Sequence, residues 1–252
     1  MISLVKVVQI LHEVFEQLNV PLRLKPYSVI PNRSGEDQAI GGIVQVIHGT
    51  KSRDQLGKAG YSKLLQYFLS TFGPADSVEF KAAQVAFANS LAGYAIVCYL
   101  MWIKDRHNGN ILIDSIGHLC HIDYGFILGI SPGGNLGFET AAFKLTPEMI
   151  ELLGGFESEV YQTFVQTIIR GFLIARKVRV PILAIISAFA DSGLPCFNHK
   201  EDNLRRMNDR FFPSKRDSKA ATKMHKLIKN AARSSRTYFY DVIQHMQQNI
   251  HY

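Results

Sequence analysis

Five polar residues crowd around one glycine: Asp105, Arg106, His107, Asn108 and Asn110 surround Gly109, directly after a long apolar run. A short apolar stretch, Ile111 to Ile113, follows, then a turn at Asp114–Gly117. A second short stretch, Leu119 to Ile122, leads into Asp123-Tyr124-Gly125. Two such stretches about a turn predict a hairpin. Asn110 entering its first strand and Asp123 leaving its second then lie side by side. A carboxylate and an amide oxygen, completed by water and phosphate oxygens, suit hard Mg²⁺ (or Mn²⁺), which rarely takes an all-protein cage. An Asp and a His a few residues upstream can position or deprotonate a hydroxyl. Metal holders, a nucleophile orienter and a downstream loop for the acceptor are the equipment of phosphoryl transfer from ATP. Any one of these residues alone reads as a polar loop capping a helix; the order and spacing of the set carry the chemistry.

The elements around this centre are legible from periodicity. Leu4, Val8, Leu11, Val14, Phe15 and Leu18 recur at helical spacing, with a stop near Asn19 before Pro21. Leu22 to Ile30, broken by Pro26, reads as short strands, Asn32 to Gly42 as a turn region, and Ile43 to Ile47 as a strand. Tyr61 to Phe72 is an amphipathic helix ended by Gly73-Pro74. Val78 to Trp102 is a long helix whose second half is apolar all round, so it belongs at the centre of a domain. Its most apolar part, Leu91 to Ile103, is short of the ~20 residues a bilayer needs. Gly125 to Phe143 is a glycine-rich loop. Thr146 with Pro147 starts a mostly helical remainder, punctuated at Gly154-Gly155, Gly193–Pro195 and Pro213. The predicted class is α+β: a small mixed piece, then a larger helical piece with a two-strand insert.

Composition sets outer bounds. A chain of 252 residues, 47% hydrophobic, can bury a proper core. Cys98, Cys120 and Cys196 are too few and scattered for a disulfide framework and fit a reducing compartment. Ile2 to Phe15, interrupted by Lys6, Gln9, His12 and Glu13, does not read as a signal peptide. The net charge is +7, with basic residues dense from Arg205 to Arg236. That balance fits an anionic membrane, a nucleic acid or merely a solvated basic surface. His118, Cys120 and His121 resemble metal ligands only superficially, because strand neighbours alternate faces and no second ligand pair is visible.

DRHNGN with HIDYG resembles the catalytic and metal-binding loops of the phosphatidylinositol 3- and 4-kinase superfamily. Lys104, Ser131 to Met149 (SPGGNLGFETAAFKLTPEM), SRDQLG at Ser52 to Gly57, LPCF at Leu194 to Phe197 and the tail RTYFYDVIQHMQQNIHY are similar to the 4-kinases in particular. The resemblance implies a protein-kinase-like bilobal fold. Residues 1–47 would be a remnant of the N-lobe with the hinge strand. Residues 48–252 would be the C-lobe, with catalytic loop 104–110, metal-binding turn 123–125 and activation loop 126–145. It implies Asp105 and His107 as catalytic, without deciding which takes the proton, and Asn110 and Asp123 as metal ligands. Arg106 would hold the loop in place. Gln45, standing where the family commonly has Glu, with Val46 and Ile47 would pair with adenine through the backbone. Leu112 and Ile122 would floor the adenine pocket.

Gly133, Gly134 and Lys144 would belong to the loop that selects the lipid. From Phe126 to Phe143 that loop has no Lys or Arg and only Glu139, which suits a headgroup without extra phosphates. Phosphatidylinositol in membranes and ATP are therefore the expected substrates, with regulatory protein subunits as possible partners and no nucleic acid. The expected location is cytoplasmic, with peripheral membrane contact. A last helix with Phe239, Val242, Ile243, Met246 and Ile250 on one face, led by Arg233 and Arg236, either lies on a membrane or packs on the domain. A glycine-rich loop and a phosphate-binding lysine, present in complete kinases, are missing, and Met1 stands about where the family has an acidic residue. Little activity is expected of these residues alone. A related Ser/Thr protein kinase and a non-catalytic binding module are the alternatives.

Overall fold

The computed structural model describes residues 2–34, 39–130, 141–192, 195–197, 200–234 and 250. Gly133, Gly134, Gly137, Glu139, Leu194 and Arg236 lie outside the described residues, as do Phe239, Val242, Ile243 and Met246.

The fold is organised around one helix, α4 (Val78–Met101). Ser77 starts it, its hydroxyl accepting the Phe80 N–H, with Glu79 in the first turn complementing the helix dipole. Residues 90–101 are all buried, as expected of its apolar second half. The helix is long and apolar enough to cross a membrane by composition, yet 78% of its apolar window is buried inside the protein, the mark of a core helix. It ends at Trp102, which takes left-handed backbone (φ 50°) while its N–H bonds back to the Cys98 and Tyr99 carbonyls.

Around α4 pack α3 (Leu64–Phe72), α6 (Glu159–Lys177) and α8 (Lys200–Arg210), and α9 (Asp217–Ala232) lies on α6. The first helix, α1 (Ile2–Gln17), leans on α6 and on α7 (Arg179–Ala188). Close approach of α4 and α6 depends on Gly171, where an added Cβ would overlap Leu22 Cδ1 and stand 2.8 Å from Ile96 Cδ1.

Two small sheets flank this core. One is a hairpin of β1 (Val29–Ser34) and β2 (Ala39–Val44). The other is antiparallel, β3 (Thr50–Ser52), β4 (Ile111–Asp114) and β5 (Leu119–His121), in the order β3-β4-β5. The expected two-strand insert thus has a third strand.

Three sequence expectations are corrected. Leu22 to Ser28 forms no ladder. Pro21 and Pro26 break it, and its backbone pairs with α4 instead: the Arg23 N–H donates to the Asn89 carbonyl and the Lys25 N–H to the Tyr94 hydroxyl. The turn region Asn32 to Gly42 is largely strand, its ends paired in β1 and β2, and β2 stops at Val44 rather than Ile47. The helix expected from Tyr61 begins at Leu64, whose N–H is capped by the Glu148 carboxylate.

A short helix, α2 (Arg53–Lys58), precedes it on a capping box: Ser52 Oγ accepts the Gln55 N–H, and Gln55 Oε1 accepts the Ser52 N–H. Helix α5 (Pro147–Leu152) starts as predicted, with Thr146 capping the Met149 N–H and proline in the first turn.

Candidate active site

Beyond Trp102 the chain turns sharply into the polar loop. The Lys104 N–H donates to the Phe126 carbonyl, and Asp105 takes left-handed backbone (φ 64°). Arg106 then folds inward and is 1% exposed. Its guanidinium donates to the carbonyls of Lys104 (3.1 Å), Ile122 (2.7 Å) and Asp123, and lies 5.6 Å from the Tyr124 ring centroid. One buried cation therefore ties the first polar loop to the turn after β5, the holding role expected of it.

His107 caps a single 3-10 turn, Asn108–Asn110, and β4 follows at once. The Ile122 N–H donates to the Asn110 carbonyl at 3.1 Å, extending the β4–β5 pairing by one step. Asn110 thus faces Ile122, with Asp123 next in the chain. The expected hairpin is observed, and it pairs Asn110 with the residue that precedes Asp123.

Asp123 is exposed and also left-handed (φ 53°), with one carboxylate oxygen accepting the Gly125 N–H at 3.2 Å. Tyr124 beside it is buried, stacked on Tyr27 with centroids 6.0 Å apart, and its hydroxyl donates to the His121 carbonyl. Burial, chiefly, raises the pKa of the Tyr27 and Tyr124 hydroxyls, so both stay neutral.

His107 Nδ1 accepts the Gly109 N–H at 3.1 Å. Nε2 lies 3.9 Å from the Asp105 carboxylate and 3.2 Å from the Asn110 amide nitrogen. Burial holds the imidazole below its ordinary pKa; Asp105 opposes this, and Arg106 and Lys144 add to it. The ring is therefore neutral near pH 7.

Lys144 is buried and donates to Asn108 Oδ1 at 2.9 Å, so this member of the expected substrate loop reaches the catalytic loop itself. Two buried cations, Arg106 and Lys144, thus lie under a cluster of carboxylate and imidazole.

The residues present fit a hard divalent cation. The Asn110 amide nitrogen donates to the Asp105 carbonyl at 3.0 Å, which leaves Oδ1 with no donor among the described residues. Asp123 offers its second carboxylate oxygen in the same condition. An exposed carboxylate just after β5 and an amide oxygen just before β4 are the partial oxygen set that Mg²⁺ completes with water and phosphate. His118 and His121 do not share such a set. His118 pairs with Asp114 at 3.2 Å, whereas His121 is buried, stacked on Tyr94 at 4.9 Å and 3.4 Å from Cys98 Sγ.

On the expected adenine side, Gln45 pairs twice with Ser28: its N–H donates to the Ser28 carbonyl and its Oε1 accepts the Ser28 N–H, both at 2.9 Å. The residue that departs from the family pattern thus fastens the end of the hairpin. Val46 is 67% exposed, while Ile47, Leu112 and Ile122 are half-buried against the core. Thr50 Oγ1 donates to the Ile47 carbonyl at 2.8 Å, and the β3–β4 register puts Ser52 opposite Leu112. The strip at Gln45 to Ile47 is in this way joined to the sheet that carries Asn110.

Sequence reasoning missed the supports. Tyr27 gave no signal in its own segment. Arg53 lay within a quoted motif, but nothing in that motif announces its buried pairing with Glu148 (3.1 Å). Asn108 was legible as a polar loop residue, not as the partner of Lys144.

Comparison with known proteins gives consistent matches. The family model for phosphatidylinositol 3- and 4-kinase matches residues 48–199. The chain is 39% identical over 248 residues to phosphatidylinositol 4-kinase alpha 1 of Arabidopsis thaliana, covering 97% of the chain and 12% of that protein. It is 39% identical over 235 residues to phosphatidylinositol 4-kinase of Dictyostelium discoideum, covering 92% of the chain and 19% of that protein. It is 37% identical over 246 residues to human phosphatidylinositol 4-kinase beta, covering 97% of the chain and 29% of that protein. The chain thus spans between 12% and 29% of the length of these curated relatives.

Proposed function

The chain belongs to the phosphatidylinositol 3- and 4-kinase family, and from that premise we propose that it carries the catalytic centre of a lipid kinase that moves the γ-phosphoryl of ATP to the 4-hydroxyl of phosphatidylinositol. The observation that carries the reading is the joining of Asp105, His107, Asn110 and Asp123 by Arg106 and the Asn110–Ile122 pairing. The ring position is supported by the relatives' printed names.

In this reading residues 1–47 belong to the smaller lobe and hinge, and residues 48–252 to the larger lobe. Asn110 and Asp123 hold Mg²⁺, which when bound supplies charge neutralisation to the phosphates. His107, 3.9 Å from the Asp105 carboxylate, supports the charge on the γ-phosphoryl. Asp105 is then the carboxylate available to accept the inositol hydroxyl proton. Arg106 and Lys144 fix the loop and add positive field where negative charge gathers. Gln45 to Ile47 offer backbone groups to adenine. The substrate sits in a bilayer, so the protein works at a membrane surface, and three buried free cysteines accord with the cytosolic side.

The test is Mg²⁺-ATP-dependent phosphorylation of phosphatidylinositol in mixed micelles, run on the chain and on an N-terminally extended form, with the product's ring position identified. The 4-phosphate formed by either, and lost with Asp123→Ala, is the expected result. No lipid turnover by either form removes the catalytic reading.

A further inference from the structure

The described residues hold a cavity of about 760 Å³ outside the catalytic centre, between the end of α4, the end of α8 and one face of α9. Helix α9 places Lys223, Lys226, Asn230 and Arg233 along its wall. Their spacing of three and four residues keeps them on one helical stripe. A fourth cation, Arg210, closes the far side, and among the described residues no Asp or Glu lines the space.

Arg210 is fixed before anything binds. Its guanidinium lies 4.5 Å from the centroid of Tyr99 and 5.2 Å from that of Trp102, and Nε donates to the Tyr99 carbonyl at 2.5 Å. The Tyr99 hydroxyl returns a bond to the Arg210 carbonyl at 2.9 Å. Burial lowers the pKa of Arg210 from its ordinary value. None of the four cations has a carboxylate partner among the described residues.

We propose that this cavity binds a phosphomonoester-bearing inositol, at a site separate from the catalytic centre. Four cations with no acid among the described lining residues match a multiply charged phosphate ligand, and a pre-oriented guanidinium suits bidentate contact with phosphate oxygens. The aromatic and apolar floor of Tyr99, Trp102, Phe212 and Leu227 suits the face of a sugar-like ring. The volume is that of a small-ligand site and exceeds what a lone inorganic anion fills.

The walls connect it to the chemistry. Trp102 is the cap from which the catalytic loop departs, and Gly129 sits beneath its ring, where an added Cβ would be 2.8 Å away. Ala141 and Ala142, also on the wall, lead to Lys144. The ligand has two sources, the headgroup of a phosphoinositide in a bilayer or a soluble inositol phosphate. The site stands independently of the kinase reading.

The experiment measures binding of the full chain to soluble inositol 1,4-bisphosphate, and to phosphatidylcholine vesicles with and without phosphatidylinositol 4-phosphate. Lys223→Glu/Lys226→Glu is expected to weaken binding at least about tenfold, or ~1.4 kcal/mol. The charge-matched control Lys6→Glu/Lys81→Glu, on α1 and α4 and outside the cavity lining, and Asp123→Ala are both expected to leave it within about twofold. Binding of the soluble compound assigns the headgroup alone as sufficient; binding only to the phosphoinositide vesicles assigns the lipid. Equal loss in both lysine pairs means diffuse attraction to a basic surface and overturns the site. Loss with Asp123→Ala puts the ligand in the catalytic centre and overturns it too, as does absence of binding by the unmodified chain.

Discussion

Asp105 and Asp123 hold φ angles of 64° and 53°, a region where a side chain costs about 1–2 kcal/mol relative to right-handed backbone. Two of the four proposed catalytic and metal-binding side chains thus stand where glycine fits best, and such strain gathers at functional positions. Comparison of Asp123→Gly with Asp123→Ala isolates it, since both remove the carboxylate. The glycine variant is expected to be the more stable by about 1 kcal/mol. Its melting temperature should be higher by roughly 2–4 °C, while both variants lose activity by at least roughly 10²-fold. The opposite order of melting would remove strain from the account. His121 gives a prediction in pH. Burial first, then Arg106 and Lys144, hold its pKa well below the ordinary value of about 6.5. The unfolded chain therefore binds this proton more readily than the folded one. Stability present above pH ~6.5 is lost as pH falls toward the native pKa, by up to about 1.4 kcal/mol per pH unit. In thermal melts between pH 7.5 and 5.5, His121→Phe, which keeps an aromatic ring against Tyr94, is expected to flatten this loss. An unchanged slope would place the acid sensitivity elsewhere.

Three helices meet at one ion pair. Arg53, at the start of α2, reaches Glu148 in the first turn of α5 and also donates to the carbonyls of Tyr61 and Ser62, while Glu148 caps α3. Breaking a buried pair leaves its partner uncompensated, so Arg53→Met is expected to cost about 3–5 kcal/mol in urea denaturation. Arg53→Met/Glu148→Met should recover most of that loss; if it does not, the capping of α3 rather than the charge is what matters. This joint also marks the limit of what the sequence discloses. The apolar length of α4, the Thr146-Pro147 start of α5 and the β4–β5 hairpin were legible because each is specified by its own residues. The Ser52-x-x-Gln55 capping box could have announced α2 by the same logic. Strand β3 could not be read: three residues carry no period, and β4 alone makes them a strand. The polar segment before β2 misled because its exposed hairpin lacks the apolar alternation of a half-buried strand. At the site, the chemistry-bearing side chains were visible in DRHNGN and DYG. Their supports Tyr27 and Arg53 were not, and Lys144 was legible as a substrate-loop residue but not as the partner of Asn108, because a buried cation or ring is defined by distant neighbours.

Across the whole molecule the catalytic loop hangs from the end of α4, so its position depends on how α4 seats against α6. Gly171 of α6 faces Ile96 of α4, and Leu22 already fills the space above it. Gly171→Ala is expected to destabilise by about 1–3 kcal/mol despite its better helix propensity. Neutral or increased stability in thermal melts would show that Leu22 yields freely. The +7 net charge has a local counterpart in the α9 stripe, so the basic balance read from composition is partly concentrated at one cavity. The tether formed by Arg106 has one more consequence. Its guanidinium holds carbonyls on both sides of the active centre, so neither loop can open while the other stays closed without orphaning a buried charge. Amide hydrogens of the two segments therefore belong to one cooperative unit of exchange with solvent, and the centre is either wholly assembled or wholly undone.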